Sequence, residues 1–236
     1  MTYHREVNGD ALHDRAGDAF VEWSVAAGEM DRLWAVGWRH FGPSFFRYAT
    51  KKDGDAVKHI QPLRVVLDQF RPSKSQRRVL RRNADLAWSF RPTTIGDELH
   101  RLFAVHKQRF KENIPTCLEE LLGAEPAFEP CDNVTLLVRA GERLVAASFL
   151  DIGDEAVSSV YGMFCPSESR RSLGICTMMW EILYAREKGF RHYYPGYACH
   201  EPSLYDYKKQ FSGLEWFDWQ GMWRPLIKSQ TNTHTQ

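Results

Sequence analysis

The sequence predicts an α+β fold. A central mixed, mostly antiparallel sheet carries flanking helices, and a smaller α/β subdomain precedes it. Three observations point there. First, Val134–Ala140, Arg143–Ile152 and Ala156–Cys165 are strand-like runs separated by the tight triplets Ala140-Gly141-Glu142 and Gly153-Asp154-Glu155. Second, "SLGICTMMWEILYAREKG" reads as a long helix closed by Gly189, and the strand "RHYYPGYAC" follows it, making a β-α-β unit. Third, a shorter pair of strands and one strongly basic helix stand ahead of this block.

The elements follow in order. Residues 1–20 are polar and read as a flexible leader. A helix is expected within "AFVEWSVAAGEMDRLWAVGWRHF". "SFFRYAT" is a strand, and Asp53-Gly54 supplies the left-handed position of a hairpin turn. In "IQPLRVVLDQF", Leu63, Val65 and Leu67 alternate with Arg64, Val66 and Asp68, as a second strand requires. Arg71-Pro72 breaks it, and Ser73 or Ser75 can cap the next helix. From Leu86 come the strand "LAWSFRPT", a helix capped by Thr94 or Asp97 with Leu99, Leu102, Phe103 and Phe110 on its apolar stripe, and the short helix "CLEELLG". Pro195 suggests a splayed or edge position for the strand "RHYYPGYAC". "SLYDYKKQF" is expected to be helical and "LEWFDWQGMW" to be a final strand. The expected organisation is a leader at 1–20, a small subdomain at 21–85, a main domain at 86–227 and a loose tail at 228–236.

Composition limits the function. The chain has 236 residues, 31 basic against 30 acidic, with 43% hydrophobic residues and eight Trp. A packed core is therefore expected, and an anionic partner must be met by a local patch. No run is long and apolar enough for a membrane helix, and the N-terminus has no signal-like apolar core. A cytoplasmic monomer without a membrane partner is expected. The five cysteines show no metal or redox spacing, so no metal is expected.

One such patch is evident. Arg71, Lys74, Arg77, Arg78, Arg81 and Arg82 lie within "FRPSKSQRRVLRR" without an intervening acid. On a helix the last four fall within roughly 140° of arc, opposite Val79 and Leu80. The cationic face suits phosphates. A second candidate is the turn "CPSESRRSLGICT", where Arg170, Arg171 and Gly174 precede a long helix whose first N–H groups favour an anion. The turn resembles the phosphate-holding turn of acyl-CoA-dependent acyltransferases, which carries glycine or alanine at the place of Cys176, and by that resemblance the larger thiol disfavours acyl-CoA. Then come Tyr193, Tyr194, Tyr197, Tyr205 and Tyr207, with Lys208 and Lys209, a set that suits base stacking and phosphate contact.

The order of elements from Leu86 resembles the GNAT acyltransferase fold. The basic segment, the R-S-L-G turn at Arg171–Gly174, the Y-x-G-Y at Tyr194–Tyr197 and the Y-K-x-x-F at Tyr207–Phe211 together resemble the arginyl- and leucyl-tRNA–protein transferases. The resemblance covers roughly residues 37–225. It implies charged tRNA as donor, with no separate cofactor. The acceptor would be the α-amine of a protein with an acidic N-terminal residue, as in N-degron tagging. One departure is large: the cysteine cluster that the family carries before its basic segment is missing here.

The implied reaction is aminolysis of an ester, with Tyr194 or Tyr197 protonating the leaving oxygen and the strand near Tyr161 offering an oxyanion site. His192, Glu181 and Asp206 are candidate bases. Arg47, Arg64 or Arg143 could fork onto an acceptor carboxylate, with Tyr205 and Tyr207 beside the substrate. Two alternatives stand: an N-acyltransferase using acyl-CoA, and a non-catalytic tRNA-binding module.

Overall fold

The computed structural model describes residues 17–110 and 114–226. Twelve strands and five α-helices occur among them: β1 (Gly17–Val21), α1 (Ala27–Ala35), β2 (Arg39–Phe41), β3 (Ser44–Tyr48), β4 (Thr50–Asp53), β5 (Ala56–Val66), α2 (Lys74–Arg82), β6 (Ala87–Pro92), α3 (Asp97–His106), α4 (Glu119–Leu122), β7 (Asn133–Ala140), β8 (Arg143–Ile152), β9 (Ala156–Phe164), α5 (Leu173–Glu187), β10 (His192–Cys199), β11 (Leu214–Phe217) and β12 (Trp223–Pro225). The large sheet runs β12-β11-β5-β10-β9-β8-β7-β6, with β4 hairpinned onto β5, and a small sheet runs β1-β3-β2. All strand pairs are antiparallel except β9 with β10. This meander, crossover helix and parallel partner form a GNAT-like sheet, as expected.

Most elements follow local chemistry. Gly141 and Gly54 take the positive φ their hairpin turns need. Ser73 caps α2 in a reciprocal box with Gln76. The differences arise at the edges. Residues 17–20 of the expected leader form β1, while 1–16 and the tail at 228–236 lie outside the described residues. Residues 206–210 make a 3-10 turn and not an α-helix, because Lys208 and Lys209 donate to the Tyr197 and Cys199 carbonyls and hold the segment against β10. The final strand is split into β11 and β12 by a turn at Asp218, whose carboxylate accepts from Gln220 and Met222 N–H. Gly96 caps α3 without a side chain, so neither Thr94 nor Asp97 serves.

Within the 21–85 segment, β5 enters the middle of the large sheet, between β10 and β11. The two parts of the chain therefore share one hydrogen-bonded sheet. Helices cover both faces. α5 buries Met178, Met179 and Ile182 with Leu63, Val65 and Leu150. On the other face α3 and α4 bury Leu99, Leu102, Phe103 and Leu121 with Ala147, Phe149 and Met163. β8 is consequently buried on both sides, and each large side chain there contributes roughly 1.5–3 kcal/mol.

The small sheet is tied to the large one by a buried network. His40 Nδ1 donates to the Gly42 carbonyl and Nε2 to Asp151 Oδ2, both at 2.8 Å. Asn133 donates to the other Asp151 oxygen at 2.7 Å, and Thr93 donates to Asn133. With acceptors at both ring nitrogens, His40 is an imidazolium paired to Asp151. Burial pushes its pKa down, but the Asp151 charge and hydrogen bond, with the Gly42 carbonyl, outweigh burial and hold it above the ordinary value. Cys131 lies close enough to complete a three-ligand set, with ligand atoms within 4.8 Å of one another. His40 and Asp151 of this set bond each other directly.

His40→Gln leaves Asp151 buried without its counter-charge and should cost about 3 kcal/mol or more. Because the folded pKa is raised, the contribution of His40 is complete below pH about 6.5 and lost as pH rises through the folded value. Urea unfolding of both proteins from pH 6 to 9 should show the gap between them narrowing towards alkaline pH.

Candidate active site

The site begins where two strands part. β10 pairs with β9 at only three positions, His192 with Ala156, Tyr193 with Val157 and Tyr194 with Ser158. At that level both strands carry one extra residue: β9 against β8 around Val160, and β10 against β5 between Tyr193 and Gly196. Pro195 has no N–H to give a ladder, and Gly196 takes φ +91°, open only to glycine at low cost. Beyond Tyr194 the strands diverge, and the expected splay lies at the centre of the sheet, not at its edge.

Lys208 occupies this opening. Its Nζ donates to the Tyr197 carbonyl at 3.3 Å and would lie 3.3 Å from a Cβ placed on Gly196. Burial, then the charge of Arg39, lowers its pKa to about 8, against a smaller opposing pull from Glu181. Glu181 projects from α5 beneath the opening and is buried. Tyr193 donates to one of its oxygens, and Ser159 lies 3.5 Å from the other. Burial pushes this carboxyl up to about 7. Tyr161 completes the wall from β9. Its hydroxyl is buried with no partner among the described residues, and burial pushes its pKa up to about 12.

The tyrosines divide by depth. Tyr193 and Tyr194 are core residues, with Tyr194 packed on Trp34 and Trp223, so neither offers a face to a base. Tyr197 is half-buried and donates to the Gly37 carbonyl at 2.5 Å, while Tyr207 is half-buried and Tyr205 exposed. His192 sits where β9 and β10 are still paired. It lies five residues below the level of Tyr161, roughly 16 Å along the strands at 3.3 Å per residue. Burial, then Arg64, lowers its pKa. Asp206 caps the 203–206 turn and pairs with Lys209 at 3.0 Å.

The three arginines expected to fork a substrate carboxylate already hold acids of the chain: Arg47 with Asp18 at 2.7 Å, Arg64 with Glu215 at 2.7 Å, and Arg143 with Glu168. Sequence reasoning missed Arg39, which lies beside Tyr194 and Tyr197. A groove of 490 Å³ opens nearby, walled by Gly17, Arg47, Tyr48 and Trp219, and Tyr48 also packs on Tyr197.

The basic helix keeps its expected orientation. Gln76 and Val79 face inward, and Arg71, Lys74, Arg77, Arg78, Arg81 and Arg82 are exposed. It packs beside the turn before α5: Arg82 donates to the Arg170 carbonyl at 2.7 Å, and Asn83 to the Arg171 carbonyl at 2.9 Å. Arg171 is held by both oxygens of Asp85 and by Glu168, so Arg170 is the more open charge of that turn. Gly174 is half-buried, near the start of α5. Cys176 is fully buried against Val79, Leu173 and Val145. Its side chain therefore does not crowd the turn, and the expected steric objection to a pyrophosphate is removed.

The sheet, crossover helix and central splay define a GNAT-like fold. Residues 97–218 match the family model "Arginine-tRNA-protein transferase, C terminus". The chain is 30% identical over 200 residues to an aspartate/glutamate leucyltransferase of Marinobacter nauticus, covering 83% of this chain and 81% of that one. It is 27% identical to one of Acinetobacter baumannii, covering 87% and 74%. Among solved structures, the C-terminal domain of an Agrobacterium fabrum protein assigned as a lysylphosphatidylglycerol synthetase superposes with a TM-score of 0.50 at 18% identity, over 79% of this chain and 56% of that one, a likeness of fold. The chain belongs to the arginine-tRNA–protein transferase family and is an aminoacyltransferase.

Arg81→Glu combined with Arg82→Glu should weaken tRNA binding and reduce the slope of log K against log salt by about 2, one unit per lost phosphate contact. Filter binding from 50 to 300 mM salt measures it, and an unchanged slope would place the RNA elsewhere.

Proposed function

We propose that this chain moves leucine from charged tRNA to the α-amine of a protein whose first residue is aspartate or glutamate. Arginine is the alternative donor residue. The observation that carries the reading is a central splay holding Lys208 and Glu181, near a two-part cationic surface on α2 and the α5 turn. The relatives' shared name, aspartate/glutamate leucyltransferase, supports leucine over arginine.

The tRNA backbone lies along Arg77, Arg78, Arg81 and Arg82 and reaches Arg170, which brings the 3′ end to the splay. The aminoacyl ester is already activated, so the protein has to position it and stabilise charge. The acceptor amine attacks the ester carbonyl. A C–N bond forms, the C–O bond to the ribose breaks, and a proton passes from the nitrogen to the leaving oxygen. Glu181, poised near neutrality, takes up the amine's proton through the groups around it. Lys208, as ammonium, supports the oxyanion and protonates the leaving oxygen. Tyr161 offers a further hydroxyl to the same atom. In this arrangement Lys208 belongs to the reaction and not to the RNA surface, and His192 stands apart from it.

The purified chain should transfer labelled leucine from leucyl-tRNA to a peptide beginning with Asp or Glu. Failure with every charged tRNA would end this reading. The rate should require Glu181 ionised and Lys208 charged, rising through an apparent pKa near 7 and falling near 8. Glu181→Gln should remove the acid limb beyond what the acceptor's own amine contributes, and Lys208→Met should lower kcat by roughly 100-fold. A rate profile identical in wild type and Glu181→Gln would exclude that carboxyl.

A further inference from the structure

Arginine is seldom buried without partners, because its charge and donors must be met. Arg39 is met on one side only. It is 7% exposed, and Nη1 donates to its neighbour's carbonyl, Trp38, at 2.9 Å. Nε and Nη2 are buried and have no partner among the described residues. These two nitrogens project their N–H groups along the same edge of the guanidinium. That edge is the one that grips a planar carboxylate through two parallel hydrogen bonds.

The surroundings suit an anion. The guanidinium carbon stands 5.1 Å from the Tyr194 ring centre and 5.7 Å from that of Tyr197, the strand that opens the splay. Lys208 adds a second positive charge, close enough that the charge of Arg39 lowers the Lys208 proton affinity. The carboxylate whose charge acts on Arg39 is Asp151, and its oxygens are engaged by His40 and Asn133. Burial lowers the Arg39 pKa, yet a guanidinium stays charged. Two unpartnered guanidinium nitrogens therefore sit beside the proposed reaction centre, while Arg47, Arg64 and Arg143 are each occupied by acids of the chain.

We infer that Arg39 is the specificity residue that reads the acceptor, gripping the side-chain carboxylate of its first residue through Nε and Nη2. The inference rests on the proposed reaction for the identity of the acceptor. A carboxylate fits better than an RNA phosphate, because its two coplanar oxygens match the parallel N–H groups of Nε and Nη2, whereas the exposed arginines of α2 already present a phosphate surface.

The test uses the full-length chain, wild type and with Arg39→Gln or Arg39→Lys. Equilibrium binding is measured for two peptides that differ only in starting with Asp or Asn. Wild type should favour the Asp peptide by roughly 100-fold, the loss typical when one side of a buried charged pair is removed. Both variants should lose that preference, Lys included because it keeps the charge but not the fork, while their tRNA binding stays within two-fold of wild type, as roughly expected for a distant surface. Should the variants fail to fold, modification of wild-type Arg39 by phenylglyoxal, mapped by mass spectrometry, should be slowed by the Asp peptide and not by the Asn peptide. Equal binding of the two peptides by wild type overturns the inference. So does an Asp preference that survives in a variant, or weakened tRNA binding with the preference intact, which would make Arg39 a phosphate ligand. A clear preference without any aminoacyl transfer would instead sustain Arg39 and refute the proposed reaction.

Discussion

The structure depends on the point at which β9 and β10 stop pairing. A continuous parallel ladder there would fill the centre of the sheet with backbone hydrogen bonds and leave no room for a substrate. Pro195 withholds the N–H that would continue it, and Gly196 adopts a backbone that other residues resist. The matching extra residue near Val160 interrupts the register of β9 at the same level. Opening a sheet at its middle exposes backbone groups, and the chain offsets this from outside the sheet. Lys208 and Lys209 reach back to the Tyr197 and Cys199 carbonyls, and His106 Nδ1 lies 3.1 Å from the Phe164 N–H. The neutral imidazole suits that contact, since burial lowers the His106 pKa to about 4.

The proposed chemistry follows from the same opening. Glu181 and Lys208 carry opposite nominal charges but do not form a salt bridge, and each is drawn towards neutrality by burial. Two groups whose proton affinities converge near the working pH can exchange a proton cheaply, which suits the transfer from an attacking nitrogen to a departing oxygen. An exposed pair would keep ordinary affinities and lose this balance.

Much of this was legible in the sequence, and the remainder has physical reasons for being hidden. The meander could be read because glycine turns and strand alternation are local. The splay could be anticipated from one proline, and the cationic helix from its spacing. Arg47, Arg64 and Arg143 looked available because an ion pair across 29, 151 or 25 positions leaves no local trace. Arg39 looked ordinary in "GWRHFG", since only the packing of the two sheets buries it. Glu181 did leave a signal: a lone acid within the apolar run "MMWEILYA". Cys176 misled because its helical phase, not its position in the motif, decides where the thiol points.

Arg39 and His40 are consecutive in β2, so their side chains leave the strand on opposite sides. One meets the tyrosines of β10, and the other is held by Asp151 of β8. The ion pair that docks the small sheet is therefore also the tether that aims the arginine. The basic helix is anchored separately, through Asn83, Asp85 and the turn before α5. On the proposed reading, selectivity for one substrate and grip on the other thus hang from different fastenings, and evolution can loosen one while the other holds.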